Sequence, residues 1–304
     1  MNILVTGASG LLGSNLCMSL SKDHNVTAFY NTNQIKIPNV KVIKMDITTE
    51  SIFQRKDFFK NLDLIIHCAA IANMDLCEKE PEFAFKTHVT GTLNLVKQCS
   101  PRTKFIYIST DNVFDGSKEI FDELDQTNPT NVYGETKLKG ELVVLENLRN
   151  SLIIRTNIYG WNSHDNNHSF LEWILNSMRS KEKINLFGDA YYTPISVNTL
   201  TEIILNANSK NLKGIYNISG ASSITKHHFG QLVAHYFNLD VDLISKISLD
   251  DLNLTANRPK QLALNSSKIQ KDLGFSLPSI AEDLKKLKEL ELAGYRKQIK
   301  EIMV

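Results

Sequence analysis

The sequence predicts an α/β fold: a doubly wound parallel sheet with a smaller C-terminal lobe beside it. Three observations lead there. An apolar run, Ile3-Leu4-Val5, breaks at Thr6-Gly7 into a glycine-spaced turn and then a helix. Short apolar runs then alternate with helical periodicity through the first half of the chain, the rhythm of parallel strands joined by helical crossovers. Beyond Gly160 the alternation gives way to a polar stretch, WNSHDNNH.

The opening stretch NILVTGASGLLG carries the first chemistry. Gly7, Gly10 and Gly13 are spaced so that Gly7 makes the tight turn, Gly10 lets a pyrophosphate approach the backbone, and Gly13 brings helix against strand. With Ser9, Leu11 and Leu12 they form a candidate dinucleotide site. The strand–turn–helix context supports that reading over incidental glycines. Val26–Tyr30 is the second strand. No Asp or Glu occurs between Asn25 and Met45; Tyr30 and Asn31 stand where a ribose-binding acid is usual. A missing carboxylate removes repulsion against a 2′-phosphate, so NADP(H) is the expected cofactor and NAD(H) the alternative.

Val40–Lys44 is the third strand. Asp46-Ile47 after it either flanks an adenine or caps the next helix. Leu62–Ala70 is the fourth, ending in Ala69 and Ala70, small enough for a flat ring or ribose to lie against the backbone. Glu82–Gln98 has helical periodicity. Lys104–Ser109 is the fifth strand, closed by Ser109, Thr110 and Asp111, and Ser151–Arg155 the sixth. Such a Rossmann-type sheet binds ligands beyond the carboxyl ends of its strands.

Tyr133-Gly-Glu-Thr-Lys137 enters a helix running to Glu146. Residues four apart share a helix face, so Tyr133 and Lys137 point together at the strand ends. A lysine cation favours the phenolate and makes tyrosine a usable acid–base near neutrality. A surface helix with a solvated lysine gives the same spacing; the glycine turn and the hydroxyls of Ser109-Thr110 favour the functional reading.

In this order the chain resembles the extended short-chain dehydrogenase/reductases. More narrowly it is similar to dTDP-4-dehydrorhamnose reductases and the related regulatory β-subunit of methionine adenosyltransferase. The residues that carry the likeness are TGASGLLG (6–13), MDLCEKEP (74–81), ISTDNVFDG (108–116), NPTNVYGETK (128–137), RTNIYG (155–160) and RPKQLALNSSKI (258–269). The resemblance implies a Thr110–Tyr133–Lys137 catalytic set, with Lys137 also holding the nicotinamide ribose. It implies reduction of the C4 ketone of a nucleotide-linked deoxysugar, with Asp111, Asn112, Trp161 and Arg258 as substrate contacts. A sugar-nucleotide epimerase and a non-catalytic NADP-binding regulatory subunit are the alternatives. Two positions depart from the pattern. His88 stands where the family commonly has an asparagine that holds a proton-relay water. Asn112 stands where related dehydratases carry a glutamate base, which disfavours dehydration.

The expected organisation is an NAD(P)-binding domain over residues 1–160 with a returning segment at 195–220, and a substrate-binding lobe over 161–194 and 221–304. Trp161–His168 is expected to be a polar, substrate-facing flap. His164 and His168 are four apart, which suits a metal only on a helix, and no metal is expected here. Ile195–Val197 and the helix through Leu205 are expected to lead back to the sheet. Phe187–Ile195 lines the sugar-nucleotide pocket in the resembled family. Thr225 is a plausible helix cap. Arg258-Pro259 matches the family's arginine near the diphosphate, where a guanidinium fork suits phosphate; an exposed arginine before a turn is the other reading. Leu284–Met303 is expected to be a solvated helical tail broken at Gly294.

The 304 residues carry a net charge of +1 with acids and bases mixed, which gives no footprint for nucleic acid or anionic membrane. No apolar run is long enough to span a bilayer and no signal-peptide pattern opens the chain. Cys17, Cys68, Cys77 and Cys99 form no C-x-x-C pair, as for free thiols in a reducing cytoplasm. The expected partner is a nucleotide-sugar substrate, and the expected state a monomer or homodimer.

Overall fold

The computed structural model describes residues 1–164 and 168–304. Short apolar segments become the strands β1 (Asn2–Thr6), β2 (Asn25–Tyr30), β3 (Val40–Lys44), β4 (Leu64–His67), β5 (Lys104–Ile108), β6 (Ser151–Arg155) and β7 (Gly214–Asn217). They make one seven-stranded sheet in the order β7-β6-β5-β4-β1-β2-β3. Every neighbouring pair is parallel. Strand order reverses between β1 and β4, so a crevice opens beyond their carboxyl ends.

Side chains alternate between two cores because successive residues of a strand face opposite ways. Ile3, Val5, Leu64, Ile66, Ile106 and Ile154 join one; Leu4, Ile65, Phe105, Tyr107 and Ile153 join the other. Helices cover both faces: α1 (Leu11–Leu20), α2 (Gly91–Val96), α3 (Val132–Asn147), α4 (Phe170–Arg179) and α5 (Val197–Ser209). Helix α6 (Lys226–Phe237) follows, capped by Thr225 as expected, and α7 (Ile280–Leu292) and α8 (Tyr295–Lys300) end the series. Beside the sheet, Ile184–Phe187 pairs with Ile244–Ile247, and Tyr191–Tyr192 lies between Ile224–Thr225 and Gln261–Leu262.

Several elements differ from expectation. β4 stops at His67 rather than reaching Ala70, because the chain bends across the glycine turn there: a Cβ on Gly7 would come within 2.6 Å of the Ala69 nitrogen. The helix of residues 82–98 contains a π-helical turn at Lys86–Thr90, which shifts the register around His88. Ile195–Ser196 pairs with Ile158–Tyr159 outside the main sheet, and Gly214–Asn217 makes the return instead.

The C-terminal tail is not a solvated helix. Leu284, Leu287 and Ile299 are fully buried. Asp283 accepts from Ser196 N (3.0 Å) and the Tyr295 hydroxyl donates to Asn15 Oδ1 (2.7 Å). Further on, Lys36 N donates to Ile302 O (2.6 Å) and Ile35 bridges to Met303. Gly294 breaks the tail with φ 83°, as its position suggested.

Gly13 has no room for a side chain: a Cβ would lie 2.2 Å from Gly7 O and 2.8 Å from Ala8 Cα. Gly13→Ala is therefore expected to lose about 1–3 kcal/mol of stability, read as a lower urea midpoint at unchanged slope. An unchanged midpoint would refute this packing role.

Candidate active site

The first βα turn is shaped by backbone. Gly7 adopts φ 62°, and Gly10 N donates to Gly7 O (2.9 Å). A Cβ on Gly10 would meet only Gly7 O, at 3.3 Å, so its outer face stays open. Gly10 is the N-cap of α1 and offers no side-chain acceptor to the first-turn N–H groups. Such a turn fits a dinucleotide pyrophosphate, which would take those donors. Ser9 and Leu11 are half-buried and Leu12 is buried. Tyr30 ends β2 half-buried, and Asn31 is exposed beyond it. Ala69 and Ala70 lie past the end of β4 on the crevice side.

Two cofactor candidates are placed otherwise. Asp46 Oδ1 accepts from Thr48 N (2.9 Å) and Thr48 Oγ1 (2.7 Å), so it stabilises its own turn. Ile47 is buried in the core beside Gly91 rather than standing open to an adenine. The capping alternative is not met either: the helical turn that follows, Glu50–Arg55, has Thr49 at its N-cap and no side-chain cap hydrogen bond.

Beyond β5 the chain turns at Asp111–Val113, and α3 begins against that turn. Asn131 caps α3 by accepting from Gly134 N (2.8 Å). A Cβ on Gly134 would fall 2.0 Å from Asn112 O, so only glycine lets α3 start this close to the β5 end. Gly140 plays the same part lower down, against the Tyr107 hydroxyl and His88 O. Tyr133 thus reaches Thr110, and Lys137 the end of β5. The Lys137 Nζ donates to Ile108 O (2.6 Å) and sits 4.1 Å from the Tyr107 ring centroid. Burial draws its pKa down to about 8, against the pull of Glu141. Burial pushes the Tyr133 phenol well up, with Thr110 acting the other way. In the protein alone Tyr133 therefore holds its proton.

Asp111 is buried, which raises its pKa. It accepts from Thr110 Oγ1 (3.0 Å), Asn112 Nδ2 (2.8 Å) and Asn157 Nδ2 (2.7 Å). Arg258 Nη2 pairs with Asp75 Oδ2 at 2.7 Å, and Asp75 Oδ1 also accepts from Ala256 N (2.9 Å). Glu78 accepts from Val132 N (2.8 Å), so the MDLCEKEP segment ties α3 and the Arg258 loop together.

Asp111, Asn112 and Arg258 line a cavity of about 350 Å³ with Trp173, Tyr191, Tyr192 and Lys226. Trp161, expected as a substrate contact, does not. It is fully buried, its Nε1 donates to Leu287 O (3.2 Å), and the Arg296 guanidinium lies 5.0 Å from its ring centroid. The expected flap begins as an anchored segment: Asn15 donates to Trp161 O (3.0 Å) and Ser163 Oγ to Ser9 O (2.9 Å). Its residues 165–167 lie outside the described residues. Trp173 and Lys226 were missed; the first reads as one apolar position of an amphipathic helix, and the second as an ordinary residue after a cap.

Glu141 and Arg155 also escaped the sequence reading, and with them the partner of Ser109. Arg155 Nη2 donates to Glu141 Oε2 (2.7 Å), both side chains are buried, and the Ser109 hydroxyl donates to Glu141. The spacing Tyr133, Lys137, Glu141, four apart on one helix face, was the available signal.

His88 is locked. Its Nε2 accepts from Ile71 N (2.9 Å), which places the proton on Nδ1, donated to Thr136 Oγ1 (2.8 Å). Its ring meets Tyr133 edge-on at 5.8 Å. Burial and the Lys137 charge hold its pKa down to about 3, from an ordinary 6.5. Below pH 6.5 an unfolded chain takes up a proton that the folded one refuses, so this contribution to stability is whole above about 6.5 and is lost as pH falls towards about 3. His88→Asn is expected to lose less unfolding free energy than wild type between about pH 7.5 and about pH 5 in urea titrations; equal losses would refute it.

The family model described as RmlD substrate binding domain matches residues 1–291. A probable low-salt glycan biosynthesis reductase of Haloferax volcanii is 31% identical, covering 93% of this chain and 96% of its own. Methionine adenosyltransferase 2 subunit beta of Xenopus tropicalis is 29% identical over 88% of this chain and 81% of its own. The structure of dTDP-4-dehydrorhamnose reductase from Bacillus anthracis in complex with NADP superposes with TM-score 0.84 at 27% identity, covering 95% of this chain and 98% of that one. A hypothetical dTDP-4-dehydrorhamnose reductase from Sulfolobus tokodaii gives TM-score 0.78 at 33% identity, over 89% and 94%. Family match and fold run together along nearly the whole sequence, glycine turn, Tyr133–Lys137 helix and Arg258 loop included: the chain belongs to the RmlD substrate binding domain family.

Proposed function

We propose that this protein is an NADPH-dependent reductase of the 4-keto group of a nucleotide-activated deoxysugar, as in dTDP-4-dehydrorhamnose reductase. The observation that carries the reading is the convergence of Thr110, Tyr133 and Lys137 at the end of β5, with burial keeping the Tyr133 phenol protonated. A reductase needs a proton donor at that point, and Tyr133 is one. The bound nicotinamide supplies the hydride. Tyr133 gives its proton to the oxygen that becomes the new hydroxyl, and Thr110 orients that oxygen. Lys137, anchored through Ile108 O, keeps two N–H donors for the ribose and favours the phenolate left after transfer.

In this reading residues 1–160 and 195–220 hold the cofactor, while the cavity between the sheet and the remaining residues takes the sugar nucleotide. His88 has both ring nitrogens engaged and stays neutral, so it holds the loop after β4 against α3 rather than passing protons. Asn112 has no basic group, in keeping with reduction rather than dehydration.

The test is NADPH oxidation with a dTDP-4-keto-6-deoxy sugar. Tyr133→Phe should lower kcat by about a hundred- to ten-thousand-fold while leaving the NADPH Kd unchanged. Wild-type protein that binds both ligands without oxidising NADPH would overturn the reductase reading. With no acid at the end of β2, KM for NADH should exceed that for NADPH; equal values would refute that preference.

A further inference from the structure

The proton-transfer scheme leaves one cation of the cavity unused. Lys226 opens α6, whose first turn is fixed by the Thr225 hydroxyl accepting from His228 N (3.1 Å). Its Nζ stands 3.5 Å from the Tyr192 ring centroid and 4.8 Å from that of Phe170. Among the described residues its ammonium has no ion pair and no hydrogen bond. Asp111 is the nearest source of negative charge, but Thr110, Asn112 and Asn157 already occupy its oxygens. Tyr192, 4% exposed, likewise has a buried hydroxyl with no partner among the described residues. Both residues line one cavity and neither donor has a protein acceptor among the described residues, an arrangement that is unfavourable unless a ligand supplies one.

We propose that Lys226, assisted by Tyr192, donates to an oxygen of the substrate's sugar ring and so selects the glycosyl part of the nucleotide sugar. This rests on the sugar-nucleotide reading above. The sugar, not the diphosphate, fits for two reasons. Asp111 follows Thr110 directly and faces Lys226, so a diphosphate there would meet a carboxylate, whereas a neutral hydroxyl would not. Arg258 lines both this cavity and the polar one beside it, where Asn253, Asn257 and Lys260 stand with Asp115 and with Asp250, the latter paired to Lys260, while Lys226 lines only the first. Arg258 also has a buried Nε without a partner among the described residues, which suits the phosphates. Burial draws the Lys226 pKa down to about 8, and Asp111 opposes the fall, so the side chain remains a cation at neutral pH.

The test compares two ligands, dTDP and a dTDP-linked deoxysugar, by calorimetry on NADP-saturated protein. Lys226→Met keeps the packing against the two rings and removes the charge. It should weaken the nucleotide sugar by about tenfold or more and leave dTDP and NADP binding unchanged. Tyr192→Phe should weaken the nucleotide sugar less, again without touching dTDP. Equal weakening of dTDP would assign Lys226 to the diphosphate and overturn the proposal, as would no weakening of either. If Lys226→Met fails to fold, Lys226→Gln gives the same comparison with the charge removed and two amide N–H donors retained. Because binding is read without turnover, protein that binds the nucleotide sugar but does not reduce it sinks the reductase reading alone. Protein that binds no nucleotide sugar sinks both.

Discussion

Beneath the reacting end of the sheet, Glu141 of α3 and Arg155 at the end of β6 form a buried ion pair. Removing one member of such a pair typically costs about 3–5 kcal/mol, because the other is left charged and unpaired. Here the pair also fixes geometry. Glu141 holds Ser109, the residue before Thr110. It sits one turn beyond Lys137 and two beyond Tyr133. Arg155 lies two residues before Asn157, which holds Asp111. One salt bridge therefore sets the mutual position of β5, β6 and α3, and with them every side chain assigned to proton transfer. The absent Cβ atoms of Gly134 and Gly140 let the helix come close enough for the pair to form.

Burial pushes the titratable groups around Tyr133 towards their neutral forms. His67 and His88 are held unprotonated, Lys137 is drawn down and Tyr133 pushed up. The common cause is low local dielectric. In such surroundings a charge appearing on a substrate oxygen interacts strongly with donors already in place, and little reorganisation is needed when it appears. The π-helical turn belongs to this arrangement, because it places His88 between the loop after β4 and α3.

Much of this was legible in the sequence where the cause is local. The glycine turn depends on backbone sterics within a few residues. The Tyr133–Lys137 pair depends on helical spacing, and the strands on short apolar runs. What escaped depends on partners distant in the chain. Trp161 reads as an exposed residue in a polar loop, and only Leu287 and Arg296 explain its burial. Glu141 reads as a surface acid until Arg155 is set beside it. Lys226 acquires meaning from Tyr192, Phe170 and Asp111, contributed by three separate segments. The tail looks solvated by composition, yet Leu284, Leu287 and Ile299 lie on the face that docks.

That docking bears on how the molecule comes to be assembled. Helix α1 makes the first crossover of the sheet and the loop after β2 begins the next, but they are held by Tyr295 and by the backbone around Ile302. Contacts so far apart in sequence are slow to form, since a large loop must close first. During synthesis from the amino end, the first crossover would emerge early and then stay incompletely covered until the tail followed it out. The segment that completes this half of the sheet is thus made long after that half. A newly made chain would gain the final packing of this half late and abruptly, rather than by degrees.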